Sequence, residues 1–168
     1  MDPTVTLIIE ALKFIAPAYA ANATPVLAGG GKPMDFGRNF PDGKRIFGTN
    51  KTFRGFFFGW AIGIVVGAVE GFVFGFNQFS VLFCVLTPLG ALLGDLTGAF
   101  IKRRLNIKPG GLLPVVDQID FVVGALVFAL PFMAVSWQLA VTVLLLTPPI
   151  HLFTNFVAYK LKLKKHPW

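Results

Sequence analysis

Cysteine, acid and charge in general are what this chain has least of. A single cysteine, Cys84, stands among 168 residues, which excludes an intrachain disulfide and a cysteine-based zinc site. Inside an apolar run, Cys84 reads as a small buried hydrophobe. Charged residues make up 14% of the chain against 55% hydrophobic. A soluble domain this small rarely carries so much apolar surface with so little charge, so the composition points away from that class. No repeat with a period of about 20–50 residues is visible, which excludes a solenoid. The amino terminus has Asp2 and no basic residue ahead of its apolar stretch, and Glu10 and Lys13 interrupt that stretch. Ala18-Tyr19-Ala20 resembles a signal cleavage site, but these flanks argue for retention.

What the chain does have is basic residues in a revealing layout. Fourteen of its fifteen Lys and Arg residues fall in three stretches, Lys32 to Arg54, Lys102 to Lys108 and Lys160 to Lys165. Long runs of Phe, Leu, Val, Ala and Gly separate them. In a soluble protein a net charge of +7 would suggest nucleic acid. Here the basic residues flank apolar runs, so they report membrane topology and contact with lipid or phosphate, and no nucleic-acid partner is expected.

A helix needs roughly 20 residues to cross the hydrocarbon. The runs therefore predict an all-α integral membrane protein, one polytopic domain over residues 1–168 with five spans at about 4–21, 56–76, 79–101, 116–135 and 137–159. The basic segments lie inside by the positive-inside rule, which puts the N-terminus out and the C-terminus in the cytoplasm. Short uncharged turns near Asn77-Gln78 and Ser136 lie outside, and Trp137 sits where an interfacial anchor belongs. Gly59, Gly63, Gly67, Gly71 and Gly75 recur every fourth residue and predict a packing groove on the second span. Pro88, Pro131, Pro148 and Pro149 predict kinks or local breaks. The segment from about Ala28 to Gly55 is a long, Gly- and Lys-rich cytoplasmic loop suited to phosphate contact. The Lys-Leu alternation at the C-terminus reads as a membrane-surface anchor.

The few acids beside these runs are the candidates for chemistry. Asp95 lies about 9 Å below the inner surface, counting roughly six residues at about 1.5 Å each, so it must face a cavity or a cation. Asp117 and Asp120, three apart, share a helix face at the start of the fourth span. Helix capping would explain that pair alone, but not a carboxylate as deep as Asp95. Three such carboxylates form a hard-oxygen site suited to magnesium, with waters and substrate phosphates completing the shell. Lys102, Arg103, Arg104 and Lys108 fall between these acids. Carboxylates, a divalent metal and cations are what phosphoryl or nucleotidyl transfer requires. Glu10 and Lys13 are expected to form an intramembrane ion pair. Glu70 is expected near the outer end, solvated or paired. His151 and Asn155 share a face of the fifth span and are expected to hydrogen-bond within the bundle.

The run Gly94-Asp95-Leu96-Thr97, Lys102-Arg103, Ile107-Lys108, Pro114 and Asp117-Gln118-Ile119-Asp120 resembles the signature of the CTP-dependent phosphatidate cytidylyltransferase family. Thr49-Asn50-Lys51-Thr52-Phe53-Arg54-Gly55 is similar to that family's first-loop motif. Ala99, Pro109 and Gln118 stand where the family pattern has Ser, Asp and Arg. The short length and the pieces Ala21-Asn22-Ala23-Thr24-Pro25 and Asp42-Gly43-Lys44-Arg45 fit the archaeal branch. That resemblance implies transfer of CMP from CTP to an isoprenoid ether lipid phosphate, digeranylgeranylglyceryl phosphate, with release of pyrophosphate. It implies Mg2+ on Asp95, Asp117 and Asp120. Lys102, Arg103, Lys51 and Arg54 are then expected on phosphate oxygens, and Asn22, Pro25, Asn50 and Thr52 around the nucleotide. A diacyl lipid phosphate is the alternative substrate, and no residue chooses between the two. A CDP-alcohol phosphotransferase would need Gly-x2-Ala-Arg after Asp120, where Phe121-Val122 stands. A small transporter using Asp95 and Glu10 would need a pathway across the membrane. The sequence leaves the oligomeric state open.

Overall fold

The computed structural model describes residues 2–76 and 80–164. Among these the chain forms five helices and no extended strand: α1 Pro3–Ala28, α2 Phe53–Phe74, α3 Val81–Arg104, α4 Val116–Ala129 and α5 Trp137–Lys160. Their starts follow the local chemistry. Asp2, Thr52, Ser80 and Ser136 accept the orphan amides of Thr4, Gly55, Phe83 and Leu139, the usual role of a short polar side chain at an N-cap. Lys102, Arg103 and Arg104 occupy the last turn of α3 and Asp117 the first turn of α4. Both placements oppose the helix dipole favourably.

Four helices, α1, α2, α3 and α5, are long and apolar enough to cross a membrane. The fourth run departs from expectation. α4 has 14 residues, about 21 Å of rise, and ends ahead of Pro131, which cannot continue the ladder. The chain from Leu130 to Ser136 is not helical, and Met133 and Val135 pack on the core. Irregular backbone of this kind is tolerated at membrane depth only against protein. The first helix runs on past the expected end at Ala21 to Ala28, so Asn22 and Pro25 are helical. The prolines Pro88, Pro148 and Pro149 lie inside continuous helices. The turn at Asn77-Gln78, Phe79 and the last lysine, Lys165, lie outside the described residues.

α1 contacts all four other helices and forms the hub. Its Ala11, Phe14, Ile15 and Ala18 meet Phe83 and Ala91 of α3, Phe121, Val122 and Ala125 of α4, and Val143 of α5 in one core. The glycines of α2 seat that helix. Gly55, Gly59, Gly63, Gly67 and Gly71 are buried, and a methyl at Gly63 would lie 2.5 Å from Pro88 Cβ. Gly75 is not part of this stripe; it ends the helix at φ 99° with open space around it. A second stripe, Gly90, Gly94 and Gly98 of α3, lets α4 approach until the carbonyls of Gly124 and Asp120 touch it. Close approach of this kind is how helices gain packing energy where lipid removes the hydrophobic drive. The lipid-facing side carries Phe57, Phe58, Val65, Phe72, Leu145 and Phe153, all exposed. The expected Glu10–Lys13 pair forms at 3.0 Å, and the Lys13 charge also acts on Glu70.

Candidate active site

The end of α1, the start of α2, the end of α3, the start of α4 and the end of α5 lie together at one end of the bundle, because successive helices run antiparallel. Each predicted site residue sits on or just ahead of one of these ends. Lys51, just ahead of α2, donates to both oxygens of Asp95 on α3, at 2.6 and 2.5 Å. Lys102 in the last turn of α3 donates to Asp117 Oδ2 at 2.7 Å, and the Leu113 amide donates to the same oxygen at 2.9 Å. Both ion pairs are largely sheltered, with side-chain exposures between 14% and 27%. They are therefore screened less than surface pairs.

Asp120 is held differently. Its carboxylate lies directly over Gly98, where any side chain would collide with it. The Phe121 amide donates to Asp120 Oδ1 at 2.7 Å. The charges of Asp95, Lys51 and Asp117 act on it. The three aspartates do not form a ready three-acid metal group among the described residues. Asp95 and Asp117 point at ammoniums instead.

Beside Asp95 a small cavity of about 40 Å³ is lined by Pro25, Met34, Asn50, Lys51, Thr52 and Gly55. Asn22 is half-buried one turn before Pro25, and Arg54 is exposed on the first turn of α2. Arg103 is buried, and its Nε and Nη1 lack a protein hydrogen-bond partner. Its guanidinium packs against Gly48, whose φ of 104° a side chain would strain. Buried donors left open on a cation are costly, and an anionic oxygen is what would satisfy them. On the lipid side, a groove of about 390 Å³ runs between α3 and α4, lined by Leu93, Ile101, Val123, Val127 and Phe128, with Asp120 its one acid.

Three features lay outside the sequence reading. Asp35, 3% exposed, accepts from Arg45 Nε at 3.0 Å and Nη2 at 2.5 Å and from the amides of Gly37, Phe47 and Gly48 at 3.0, 3.2 and 2.9 Å. Burial alone would raise its pKa; Arg45 and the amides outweigh that and hold the carboxyl well below the usual range. The Asp-x-Gly spacing is an Asx-turn signal that was readable. Arg104 ties the first loop to α3: it bonds the Lys44 and Arg45 carbonyls, pairs with Asp42 at 3.1 Å and packs on Phe40 and Phe100. The third is the C-terminal segment. His151 and Asn155 meet as expected, at 3.2 Å, but Lys164 folds back onto Asn155 at 2.9 Å, where a surface anchor was expected.

The family model described as CarS-like, CDP-archaeol synthase, matches residues 4–168. The chain is 46% identical to the CDP-archaeol synthase of Pyrococcus furiosus, over 96% of this chain and 98% of that protein. It is 42% identical to the CDP-archaeol synthase of Methanococcus aeolicus, over 96% and 97%. A solved structure described as "Structural insight into an intramembrane enzyme for archaeal membrane lipids biosynthesis" superposes with a TM-score of 0.83 at 38% identity, over 88% of this chain and 94% of that one.

Proposed function

The chain belongs to the CDP-archaeol synthase family, and from that premise we propose how its basic pocket works. As a member it is a CTP-dependent cytidylyltransferase of the membrane that forms CDP-archaeol. The acceptor in this reading is 2,3-bis-O-geranylgeranylglycerol 1-phosphate, and the pocket opens to the cytoplasm. One observation carries the reading of the site: two Lys–Asp pairs from three chain segments lie at the end of the bundle that holds Asp120, with a small cavity at Asp95 and an apolar groove at Asp120.

The reaction joins an oxygen of the lipid phosphate to the α-phosphorus of CTP. The bond from that phosphorus to the bridging oxygen breaks, and pyrophosphate leaves with the electron pair. The lipid phosphate is already ionised near neutral pH, so no general base is needed. The obstacle is repulsion between two anions, and it calls for fixed positive charge. Lys51 and Lys102 supply it by trading a carboxylate oxygen for a phosphate oxygen, and buried Arg103 gains the acceptor it lacks. Asp95, Asp117 and Asp120 would hold Mg2+, since carboxylate oxygens suit a hard cation. Bound there, the metal would neutralise charge on the triphosphate and the departing pyrophosphate. Asn50 and Thr52, with Asn22 and Pro25 across the cavity, border the nucleotide. The α3–α4 groove takes an isoprenoid chain, its polar end at Asp120, so the phosphate enters from the lipid side. Five crossings with the N-terminus outside fit this arrangement, with α4 and the packed segment after it together completing the fourth.

The test uses labelled CTP, purified protein and the lipid phosphate. Asp95→Asn, Asp117→Asn and Asp120→Asn are each expected to lower CDP-lipid formation by about 10²-fold or more, the usual scale for loss of a transition-state electrostatic contact. Full activity in all three variants would remove the site.

A further inference from the structure

The mechanism above leaves the C-terminal segment without a task. After α5 the chain reverses: the amides of Leu161, Lys162 and Leu163 bond back to the carbonyls of Val157, Tyr159 and Ala158 at 2.9 Å each, with Lys162 at φ 60°. The reversal returns Lys164 to α5, where its Nζ donates to Asn155 Oδ1 at 2.9 Å. Asn155 is 8% exposed on a helix whose neighbours Phe153, Phe156 and Val157 are exposed apolar side chains. A buried amide on such a helix costs free energy unless it is bonded, and Lys164 supplies one of its bonds.

The contacts then lead inward. The Asn155 amide nitrogen lies 3.2 Å from the His151 ring nitrogens. The His151 ring packs on Phe121 with centroids 5.9 Å apart, and Phe121 adjoins Asp120 and donates its amide to it. A surface anchor would leave its ammonium in water. Burial instead pushes the Lys164 pKa down, and the Lys51 and Lys102 charges push the same way against the pull of Asp117 and Asp95. Contacts through Asn155, His151 and Phe121 thus join the tail lysine to Asp120, at the end of the bundle that holds the two Lys–Asp pairs.

We infer that Lys164 is a phosphate-binding residue of this site, delivered by the turn after α5 and held ready by Asn155, a positioning residue. The inference rests on the cytidylyltransferase reading. Its ligand is a phosphate oxygen, from the triphosphate or from the lipid phosphate. An ionised phosphate oxygen is a stronger acceptor for the Lys164 ammonium than the neutral Asn155 carbonyl.

The experiment measures steady-state kinetics of the full chain in lipid nanodiscs, varying CTP and lipid phosphate separately. Lys164→Ala is expected to raise the KM of one phosphate substrate about tenfold, the effect of roughly one charge-assisted contact, and Lys164→Arg to restore most of it. A rise confined to CTP assigns the triphosphate; a rise confined to the lipid assigns its phosphate. Asn155→Ala is expected to give a smaller rise in the same KM. Unchanged KM values in Lys164→Ala overturn the inference, and so does a loss of kcat that arginine does not rescue and that accompanies a lower Tm. Wild-type protein that makes no CDP-lipid defeats the cytidylyltransferase reading itself, a distinct result that takes this inference with it.

Discussion

Asp35 shows how one residue can organise a loop that composition reads only as polar. Five donors converge on it, and leaving such donors unsatisfied costs about 1–3 kcal/mol. Asp35→Asn is therefore expected to speed hydrogen exchange at the Phe47 and Gly48 amides by about tenfold or more. The pH dependence has a definite sign. The folded carboxyl titrates below its ordinary value of 3.8, so the folded state binds fewer protons. Its contribution is complete above that ordinary value and is lost as pH falls through the lower folded one. Protection factors at Phe47 and Gly48 should hold at about pH 4 and collapse only in stronger acid. Loss of protection already at about pH 5 would contradict this assignment. At this scale the sequence was partly legible. Asp95, Asp117, Asp120, Lys51 and Lys102 stood out because charge beside an apolar run has to be explained. Asp35 did not, because an acid in a polar loop needs no explanation until its burial is seen.

The two glycine stripes do the same work and were unequally visible. The stripe on α2 is flanked by Phe, Val and Ala, so its period was plain. The stripe on α3, Gly90, Gly94 and Gly98, shares its helix with Asp95 and the basic turn, and its role emerges only against α4. A side chain at Gly94 would strike the Asp120 carbonyl, and one at Gly98 the Asp120 carboxylate. Backbone cannot yield as a flexible side chain can. Gly94→Ala is expected to lower stability by about 1–3 kcal/mol, the scale of overpacking, seen as a lower Tm in detergent. Gly98→Ala is expected to reduce cytidylyl transfer more steeply than Gly94→Ala for a similar Tm loss, because it displaces the carboxylate itself. Helix ends were less legible than helix positions. α1 continues through Asn22 and Pro25 since nothing breaks the apolar run before Gly29-Gly30-Gly31, and α4 stops early at Pro131.

At the scale of the molecule, the basic stretches and the fold express one constraint. Charge is cheap only at a membrane surface and in a sheltered pocket, and the chain gathers three cationic segments, the helix ends that bear its aspartates and its longest loop at one end of the bundle. Toward the other end lie Ser136, Trp137 and, among the described residues, a single cationic side chain, Lys13, paired with Glu10 and packed on Phe74. Orientation then follows from insertion, and the single buried cysteine makes it measurable, since Cys84 is sheltered inside the core. Thr49→Cys and Ser136→Cys place one reactive thiol at each end, on exposed residues outside the helices. In sealed right-side-out vesicles a membrane-impermeant maleimide is expected to label Ser136→Cys and to spare Thr49→Cys until detergent is added. In inverted vesicles the pattern should reverse. Labelling of Thr49→Cys from outside would put the basic pocket on the wrong face of the membrane for cytoplasmic CTP, however well its residues are arranged. Labelling of both positions from one side would mean that α5 does not cross, since Trp137–Lys160 is the helix whose start adjoins Ser136 and whose end lies beside the pocket.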